Sequence, residues 1–188
     1  MNDIDNAVLV AARYHSYQYR SNVINGQKMP YLIHPMEVCK KVWQWGVGEE
    51  HMLIAAVLHD VVEDSVLSVA SIEQQFGPQV AKIVEELTFK TEAMGTEKAK
   101  QKADYVATFA TKSVEALIIK MADRLINTMD HFFTDRGKCV KYYRKADALF
   151  KAFRDRQEEI MLAFGDDVLS AIWLDFDKVT SQVNTALI

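Results

Sequence analysis

The amino-acid sequence predicts an all-α fold, a helical bundle in a single domain. Only seven glycines and three prolines occur among 188 residues, so the chain contains few residues that interrupt helices. No stretch shows the alternation of β-branched and polar residues that is typical of a half-buried strand. With 49% hydrophobic residues, the chain is long enough to bury one core and short for two. We therefore expect residues 1–188 to form one domain.

The first two helices are predicted from capping residues and proline. Asp3 or Asp5 can cap a helix whose apolar residues recur at helical spacing. That helix is expected to end at the polar segment 16–28, in which Asn25-Gly26 indicates a turn. A second helix is expected over residues 35–43, because its proline suits the first turn of a helix.

The next helices follow from apolar spacing and a serine cap. A third helix is expected from about residue 49 into the apolar run at 53–58. Ser68 or Ser71 can cap a short helix that ends at Phe76. After Gly77-Pro78, residues 79–87 place their apolar side chains on one helical face.

The second half of the chain is predicted to consist of helices separated by a loop and a turn. Ser113 can cap the helix that contains the apolar run ALIIKMADRLIN. The lysine-rich helix before it is expected to present a solvated face. The predicted elements are a loop at 90–97, helices at 98–109, 114–129, 140–164 and 167–183, and a turn at 135–137.

Charge and cysteine content exclude several classes of protein. The net charge of −4 gives no overall attraction to nucleic acid or to an anionic membrane, so neither is an expected partner. No apolar run approaches the roughly 18 residues that span a bilayer, and the acidic N-terminus differs from a signal peptide. Cys39 and Cys139 form no CxxC motif, which favours a reducing compartment. A cytoplasmic location is expected.

The stretch LIAAVLHDVVEDS, residues 53–65, combines burial with charge. Its apolar run leads into His59 and Asp60, and after two valines the acids Glu63 and Asp64 follow. Burying ionised carboxylates without partners is costly, so a metal ion or a charged substrate is the simplest explanation. Adjacent residues of a helix point about 100° apart. His59 and Asp60 can therefore converge only on an ion beside the helix or at its end.

Further ligands have to come from elsewhere in the chain. His34 lies in the short segment PYLIHP, at the start of a predicted helix, and Asp123 interrupts the apolar run LIIKMADRLIN. Two imidazoles and two carboxylates form a mixed nitrogen and oxygen set, which favours Mn²⁺, Fe²⁺ or Co²⁺ over structural zinc. A metal ion with open positions polarises a phosphoryl oxygen, as phosphoester hydrolysis requires.

Two more acids are expected beside this metal ion. If the helix continues through the stretch, Glu63 lies four residues after His59 and Asp64 four residues after Asp60. Their expected roles are to orient the attacking water and to handle the proton of the leaving group. Asn127 follows Asp123 by four residues and shares its helical face.

The ordered set of His34, His59-Asp60 and Asp123 resembles the pattern of the HD-domain metal-dependent phosphohydrolases. The motifs YLIHP, HDVVED and KMADRLIN are similar to those of the hydrolase domain of the RelA/SpoT family, which includes the stand-alone small alarmone hydrolases. The similarity covers about residues 8–130, and the helices that follow are expected to belong to the same HD-type domain.

The resemblance implies an all-helical fold, a single Mn²⁺ ion and the reaction of the family. That reaction removes the 3′-pyrophosphate of guanosine tetra- or pentaphosphate, (p)ppGpp, and leaves GDP or GTP. The expected partner is therefore a nucleotide, a guanosine polyphosphate. The implied site residues are the metal ligands His34, His59, Asp60 and Asp123, the catalytic acids Glu63 and Asp64, and the substrate contacts Arg13, Tyr31 and Asn127.

Three positions depart from the family pattern: Asp130 stands where a small polar residue is common, and the other two lack a usual cation. Tyr14 stands where a lysine is usual, and Met129 stands where an arginine is usual. The loss of two cations weakens the electrostatic stabilisation of a polyanionic substrate. Hydrolysis of another nucleotide, such as a dNTP, a nucleoside monophosphate or NADPH, is therefore an alternative, and a non-catalytic nucleotide-binding module is a third. The candidates to replace the lost cations are Lys28, Arg124, Lys138 and Arg144.

Overall fold

The computed structural model describes residues 3–24, 26–132 and 135–186, and within these ranges the chain is mainly helical. The all-α prediction is therefore confirmed. The helices are α1 (Asp3–Tyr14), α2 (Ile33–Gln44), α3 (Glu50–Leu58), α4 (Val61–Asp64), α5 (Val69–Phe76), α6 (Pro78–Leu87), α7 (Gly95–Ala107), α8 (Val114–Phe132), α9 (Arg136–Arg144), α10 (Asp147–Asp155), α11 (Gln157–Phe164) and α12 (Asp166–Ala186). None of the described helices is both long and apolar enough to cross a membrane.

A two-stranded antiparallel hairpin lies in the segment that the sequence predicts to be polar and irregular. Its strands are β1 (Tyr19–Ile24) and β2 (Gln27–Pro30). Gly26 has a φ of +78°, which glycine adopts without strain, and this agrees with the predicted turn. Asn25, the other residue of that turn, lies outside the described residues. The strands are short and largely polar, so they carry little of the alternation that predicts a strand.

The third helix does not continue through the stretch that carries the acids. α3 ends at Leu58, His59 and Asp60 form a turn, and α4 begins at Val61. The continuous helix on which the predicted four-residue spacing depended is therefore absent at this point. The two adjacent side chains of this turn come close together, with His59 Nε2 3.1 Å from Asp60 Oδ2.

The prediction of one long helix over residues 140–164 is wrong, because the structure has three shorter helices there, α9, α10 and α11. Asp135, which was assigned to a turn, caps the N-terminus of α9. Neither glycine nor proline marks the break between α10 and α11. At that break Arg156 donates to the backbone carbonyls of Phe109 and Lys112 at 3.1 and 2.6 Å. A tertiary contact therefore fixes the bend.

A continuous hydrophobic cluster connects the helices, with buried side chains from Ala7 on α1 to Val183 on α12. Helix α8 is central to it and packs against α2, α3, α6, α9, α10 and α12. The buried part of α8 also contains the charged residues Lys120, Asp123 and Arg124. Buried charges require partners, so the neighbours of these residues indicate where the functional site lies.

Asp175 on α12 connects the C-terminal helix to α2, and its removal is expected to destabilise the fold. Its carboxylate accepts hydrogen bonds from Lys41 Nζ and from Trp45 Nε1, both at 2.9 Å. Trp45 is 2% exposed, so alanine at position 175 leaves a buried indole N–H without this acceptor. We expect Asp175→Ala to lower the free energy of unfolding by about 2 kcal/mol, as measured by urea denaturation.

The same contact predicts how stability depends on pH. Burial raises the pKa of Asp175, but the hydrogen bonds from Lys41 and Trp45 outweigh burial and lower the pKa overall. A lowered pKa stabilises the folded state above the ordinary aspartate value of about 3.9, and this stabilisation is lost as the pH falls through the lowered pKa. Asp177, exposed on the same helix, provides the control, and Asp177→Ala is expected to change stability by less than about 0.5 kcal/mol. Equal effects of the two substitutions would contradict the role of Asp175.

Candidate metal centre

The predicted metal ligands come from separate parts of the chain and meet where α2, α3 and α8 pack together. His34 lies in the first turn of α2, His59 and Asp60 form the turn after α3, and Asp123 lies in the middle of α8. Both histidines are 1% exposed and Asp123 is 5% exposed. The site is therefore built into the core and not onto the surface.

The donor atoms of these four residues lie close together. His34 Nε2 is 3.6 Å from Asp60 Oδ2 and 3.2 Å from Asp123 Oδ1. His59 Nε2 is 3.1 and 4.0 Å from the same two oxygens. His34, His59 and Asp60 each offer a donor atom within 4.8 Å of the other two. Atoms that share an ion at about 2.1 Å are roughly 3 to 4 Å apart, so these separations fit a bound cation.

The histidine at position 59 is oriented for coordination. Its Nδ1 lies 2.8 Å from the backbone carbonyl of Ala56, an arrangement that assigns the proton to Nδ1 and leaves Nε2 available for a metal ion. Nε2 is buried and, although it lies 3.1 Å from Asp60 Oδ2, it forms no hydrogen bond with any described residue. Burial lowers the pKa of His59, but the carboxylates of Asp60 and Asp123 raise it overall to about 9. A divalent cation competes with that proton for Nε2, so the residues present fit a metal ion.

Three neighbours orient the two carboxylates. The Tyr31 hydroxyl donates to Asp60 Oδ2 at 2.6 Å. On the other side, Lys120 Nζ lies 2.8 Å from Asp123 Oδ2, and the Asn127 amide donates to Asp123 Oδ1. Tyr31 therefore holds the Asp60 carboxylate, and Lys120 and Asn127 hold the Asp123 carboxylate, without any bound ion.

Both carboxylates are ionised at neutral pH. Burial raises the pKa of Asp123, but the Lys120 ammonium and the His34 imidazole outweigh burial and hold the pKa well below its usual range. Burial likewise raises the pKa of Asp60, and the charge of His59 outweighs burial and lowers the pKa overall. Two ionised carboxylates beside two imidazoles form a site with the charge and donor types that a divalent cation requires.

Glu63 and Asp64 lie on α4, three and four residues after Asp60, and line the same cleft. Glu63 Oε2 accepts a hydrogen bond from the Phe89 backbone N–H at 3.0 Å, which holds its carboxylate in place. Burial and the charge of Asp60 raise the pKa of both acids. A raised pKa suits a carboxyl group for proton transfer near neutral pH.

A cleft of about 700 Å³ extends from these acids. Helices α7, α8 and α9 and the residue that follows α9 contribute many cations to its lining. These are Lys98, Lys102, Lys120, Arg124, Lys138, Lys141, Arg144 and Lys145. Candidate metal ligands and many cations in the lining of one cleft suit a ligand that carries several negative charges, such as a polyphosphate.

The lysine-rich helix presents exposed lysines, as predicted. Two of these lysines, Lys98 and Lys102 on α7, also line the cleft, which the sequence did not indicate. Of the candidates to replace the lost cations, Arg124, Lys138 and Arg144 also line it, whereas Lys28 on β2 is not among its described lining residues. The fold therefore concentrates positive charge at the cleft even though Tyr14 and Met129 are uncharged.

The predicted substrate contacts occupy different positions. Tyr31 lines the cleft, and half-buried Asn127 bonds to Asp123. Arg13 is exposed, with its guanidinium carbon 5.9 Å from the ring centre of Tyr14, and it is not among the described residues that line the cleft. The structure thus brings Tyr31 and Asn127 to the metal ligands and leaves Arg13 apart from them.

Two residues of the site were not identified from the sequence. Lys120 interrupts the same apolar run as Asp123, three residues earlier, so the signal that identified Asp123 was available for Lys120 as well. Arg20 does not interrupt an apolar run, so no local pattern in the sequence indicated it. Its Nη2 donates to Asn127 Oδ1 at 3.0 Å across a sequence separation of 107 residues.

Comparison with known proteins gives a family and several relatives. Residues 7–160 match the HD domain family. The chain is 36% identical over 121 residues to a guanosine-3′,5′-bis(diphosphate) 3′-pyrophosphohydrolase of Drosophila melanogaster, an alignment that covers 64% of each chain. It is 32% identical over 128 residues to the GTP pyrophosphokinase rsh of Brucella ovis, which covers 66% of this chain and only 17% of that protein.

A solved structure has the same fold. It is that of a metazoan ortholog of SpoT, described as hydrolyzing ppGpp and playing a role in starvation responses. The TM-score is 0.74, with 95% of this chain and 96% of the other covered at 24% sequence identity. The agreement extends over the C-terminal helices as well as the segment that carries the motifs.

Proposed function

The chain belongs to the HD domain family, and from this premise we propose that it is a metal-dependent phosphohydrolase that removes the 3′-pyrophosphate of (p)ppGpp. The observation that carries the proposal is the convergence of His34, His59 and Asp60 at one end of a cleft lined by lysines and arginines. The Drosophila relative, a guanosine-3′,5′-bis(diphosphate) 3′-pyrophosphohydrolase, supports the same reaction. We assign all described helices to one HD-type domain and the protein to the cytoplasm.

We assign the fourth ligand to Asp123, because its Oδ1 lies 3.2 Å from His34 Nε2. Two imidazoles and two carboxylates favour Mn²⁺, and Fe²⁺ or Co²⁺ share this preference. When bound, the metal ion supplies Lewis acidity toward a phosphoryl oxygen. Tyr31, Lys120 and Asn127 keep the carboxylate ligands in the orientations that the ion requires.

The two acids of α4 have separate tasks in this proposal. Glu63 orients the attacking water and takes its proton, because the Phe89 N–H holds its carboxylate and its pKa is raised. As the water oxygen bonds to phosphorus, the bond from phosphorus to the ribose 3′-oxygen breaks. Asp64, whose pKa is also raised, supplies a proton to that oxygen. The products are pyrophosphate and GDP or GTP.

The cations of the cleft bind the phosphates of the substrate. Burial and the nearby charge of Lys141 lower the pKa of Lys145, so these ammonium groups repel one another until an anion binds between them. Their charge offsets the missing cations at Tyr14 and Met129. This arrangement favours a nucleotide with several phosphates over a nucleoside monophosphate.

A nucleotide panel tests the proposal. The purified protein is incubated with Mn²⁺ and (p)ppGpp, and pyrophosphate and GDP or GTP are measured. The same assay is run with dNTPs, a nucleoside monophosphate and NADPH, and with the metal removed by a chelator. Turnover of another nucleotide without turnover of (p)ppGpp would contradict the proposed substrate. The assignment as a phosphohydrolase would still hold. Binding of nucleotide without any turnover would support the non-catalytic alternative.

Replacing two cleft lysines tests the role of the cationic lining. We expect the double substitution Lys98→Gln and Lys102→Gln to raise KM for (p)ppGpp about fivefold, since two exposed charge contacts together contribute about 1 kcal/mol. The change in kcat should be smaller, because neither lysine contacts the metal ligands. Steady-state kinetics at two salt concentrations measures both quantities. Lys100→Gln is the control, because Lys100 is exposed on the same helix and is not among the described residues of the cleft.

A further inference from the structure

We propose that Arg20, on the β1–β2 hairpin, is a positioning residue for the metal centre. It contacts both Asn127 and Tyr31, the side chains that orient the carboxylates of Asp123 and Asp60. The inference rests on the proposed metal-dependent function. It assigns a task to the hairpin, which otherwise contributes none of the predicted metal ligands or catalytic acids.

The first connection runs from Arg20 to Asp123. Arg20 Nη2 donates to Asn127 Oδ1 at 3.0 Å and also bonds to the Asp130 carboxylate. Because Arg20 binds the amide oxygen of Asn127, the NH₂ group of that amide points the other way, where it donates to Asp123 Oδ1. Arg20 therefore determines which end of Asn127 faces the metal ligand.

The second connection runs from Arg20 to Asp60. The guanidinium carbon of Arg20 lies 5.8 Å from the centre of the Tyr31 ring, in a cation–π arrangement. The hydroxyl of the same ring donates to Asp60 Oδ2 at 2.6 Å. The Arg20 side chain is 12% exposed, so little solvent competes for these contacts. One guanidinium thus supports the partners of both carboxylate ligands.

The chain around the hairpin reinforces this arrangement. Gln18, just before β1, accepts a backbone hydrogen bond from Tyr31 at 2.9 Å. Its side-chain amide donates to the backbone carbonyl of Asp64 at 3.0 Å. The two ends of the hairpin are therefore tied to each other and to α4, which leaves Arg20 in a fixed position between Tyr31 and α8. An arginine suits this place because its planar group can bond two acceptors while it faces a ring.

Metal affinity measured on the full chain tests the proposal. Arg20→Met should weaken the binding of Mn²⁺ by up to about tenfold, the lower end of the loss when a direct partner of a metal ligand is removed, because Arg20 acts on the ligands through Asn127 and Tyr31. Arg20→Lys can retain the ion pair with Asp130, but it lacks the planar group that bonds Asn127 while it faces the Tyr31 ring, and it should weaken binding at least threefold. The absorption spectrum of bound Co²⁺, which reports ligand geometry, should change in Arg20→Met. Lys151→Met is the control, because Lys151 forms an exposed ion pair with Asp155 on α10.

Activity gives a second readout. At limiting Mn²⁺ the turnover of Arg20→Met should fall with metal occupancy, and at excess Mn²⁺ it should largely recover with KM for the nucleotide within about twofold of wild type. Wild-type Mn²⁺ affinity and an unchanged Co²⁺ spectrum in folded Arg20→Met would overturn the proposal. If that variant does not fold, wild-type affinity in Arg20→Lys would overturn it. A wild-type protein that binds Mn²⁺ without hydrolysing a nucleotide contradicts the proposed reaction only, and one that binds no Mn²⁺ contradicts both.

Discussion

Asp60→Ala is expected to reduce hydrolysis about a thousandfold or more and to remove stoichiometric metal binding. The substitution deletes the oxygen that lies 3.1 Å from His59 Nε2 and 3.6 Å from His34 Nε2. A lost metal ion withdraws several kcal/mol of charge stabilisation from the transition state, and each 1.4 kcal/mol corresponds to about tenfold in rate. Metal content after dialysis and turnover of (p)ppGpp are the two measurements.

The control for this experiment is Glu50→Ala. Glu50 is an exposed acid at the start of α3, the helix that ends beside Asp60, so it tests the general effect of removing one negative charge from this helix. Circular dichroism establishes that both variants are folded. Full metal content and full turnover in Asp60→Ala would contradict the assignment of the metal centre, whichever nucleotide is the substrate.

Glu63→Gln is expected to lower kcat about a hundredfold or more while metal binding is retained. Glutamine keeps the shape of the side chain and an oxygen that can accept the Phe89 N–H, but it cannot take a proton from water. Glu63 is not one of the four residues assigned as metal ligands, so the ion should still bind. Single-turnover kinetics and Mn²⁺ titration separate the two effects.

Stability provides an independent check on Glu63. Because burial and Asp60 raise its pKa in the folded state, its ionisation costs stability as the pH rises above the ordinary glutamate value of about 4.3. In metal-free protein at neutral pH, Glu63→Gln should therefore leave the melting temperature unchanged or raise it. Glu73→Gln, an exposed change on α5, should affect neither activity nor stability. A large loss of stability in Glu63→Gln would indicate a structural role instead.

The opposite charges of this region explain why it can be both buried and reactive. Negative charge is concentrated here by four acids, Asp60, Glu63, Asp64 and Asp123. The buried Lys120 forms an ion pair with Asp123. In the proposed function, a divalent ion adds positive charge where the donor atoms converge, and the cleft lysines add positive charge where the phosphates of the substrate bind. The site is thus prepared for a cation and a polyanion together, which is the combination that phosphoryl transfer requires.

Local patterns in the sequence were sufficient for most of the helices and for the choice of the candidate ligands. Ser68 caps α5 as predicted, because an N-cap is a local hydrogen bond between neighbours in the chain. Acids and histidines that interrupt apolar runs identified Asp123 and the pair His59-Asp60, because a buried charge needs a compensating partner wherever it occurs. This reasoning depends only on neighbouring residues.

Other features depended on contacts between residues far apart in the chain. The break between α10 and α11 follows from the bonds of Arg156 to Phe109 and Lys112, and no local signal marks it. The cleft lysines of α7 resembled those of any solvated helix, since only the packing of the helices decides which surface faces a cavity. The hairpin was missed because it is short and polar.

By itself, the sequence determined that the chain is helical, that it carries the HD motifs and that four residues are candidates to share a metal ion. Only the tertiary structure decided that their donor atoms meet within a few ångströms and that α3 ends in a turn at His59-Asp60. It also decided that lysines from α7 and α9 line the cleft and that Arg20 reaches Asn127 and Tyr31. The physical reason is that burial cost can be estimated from neighbours along the chain, whereas distance and orientation exist only once the helices have packed.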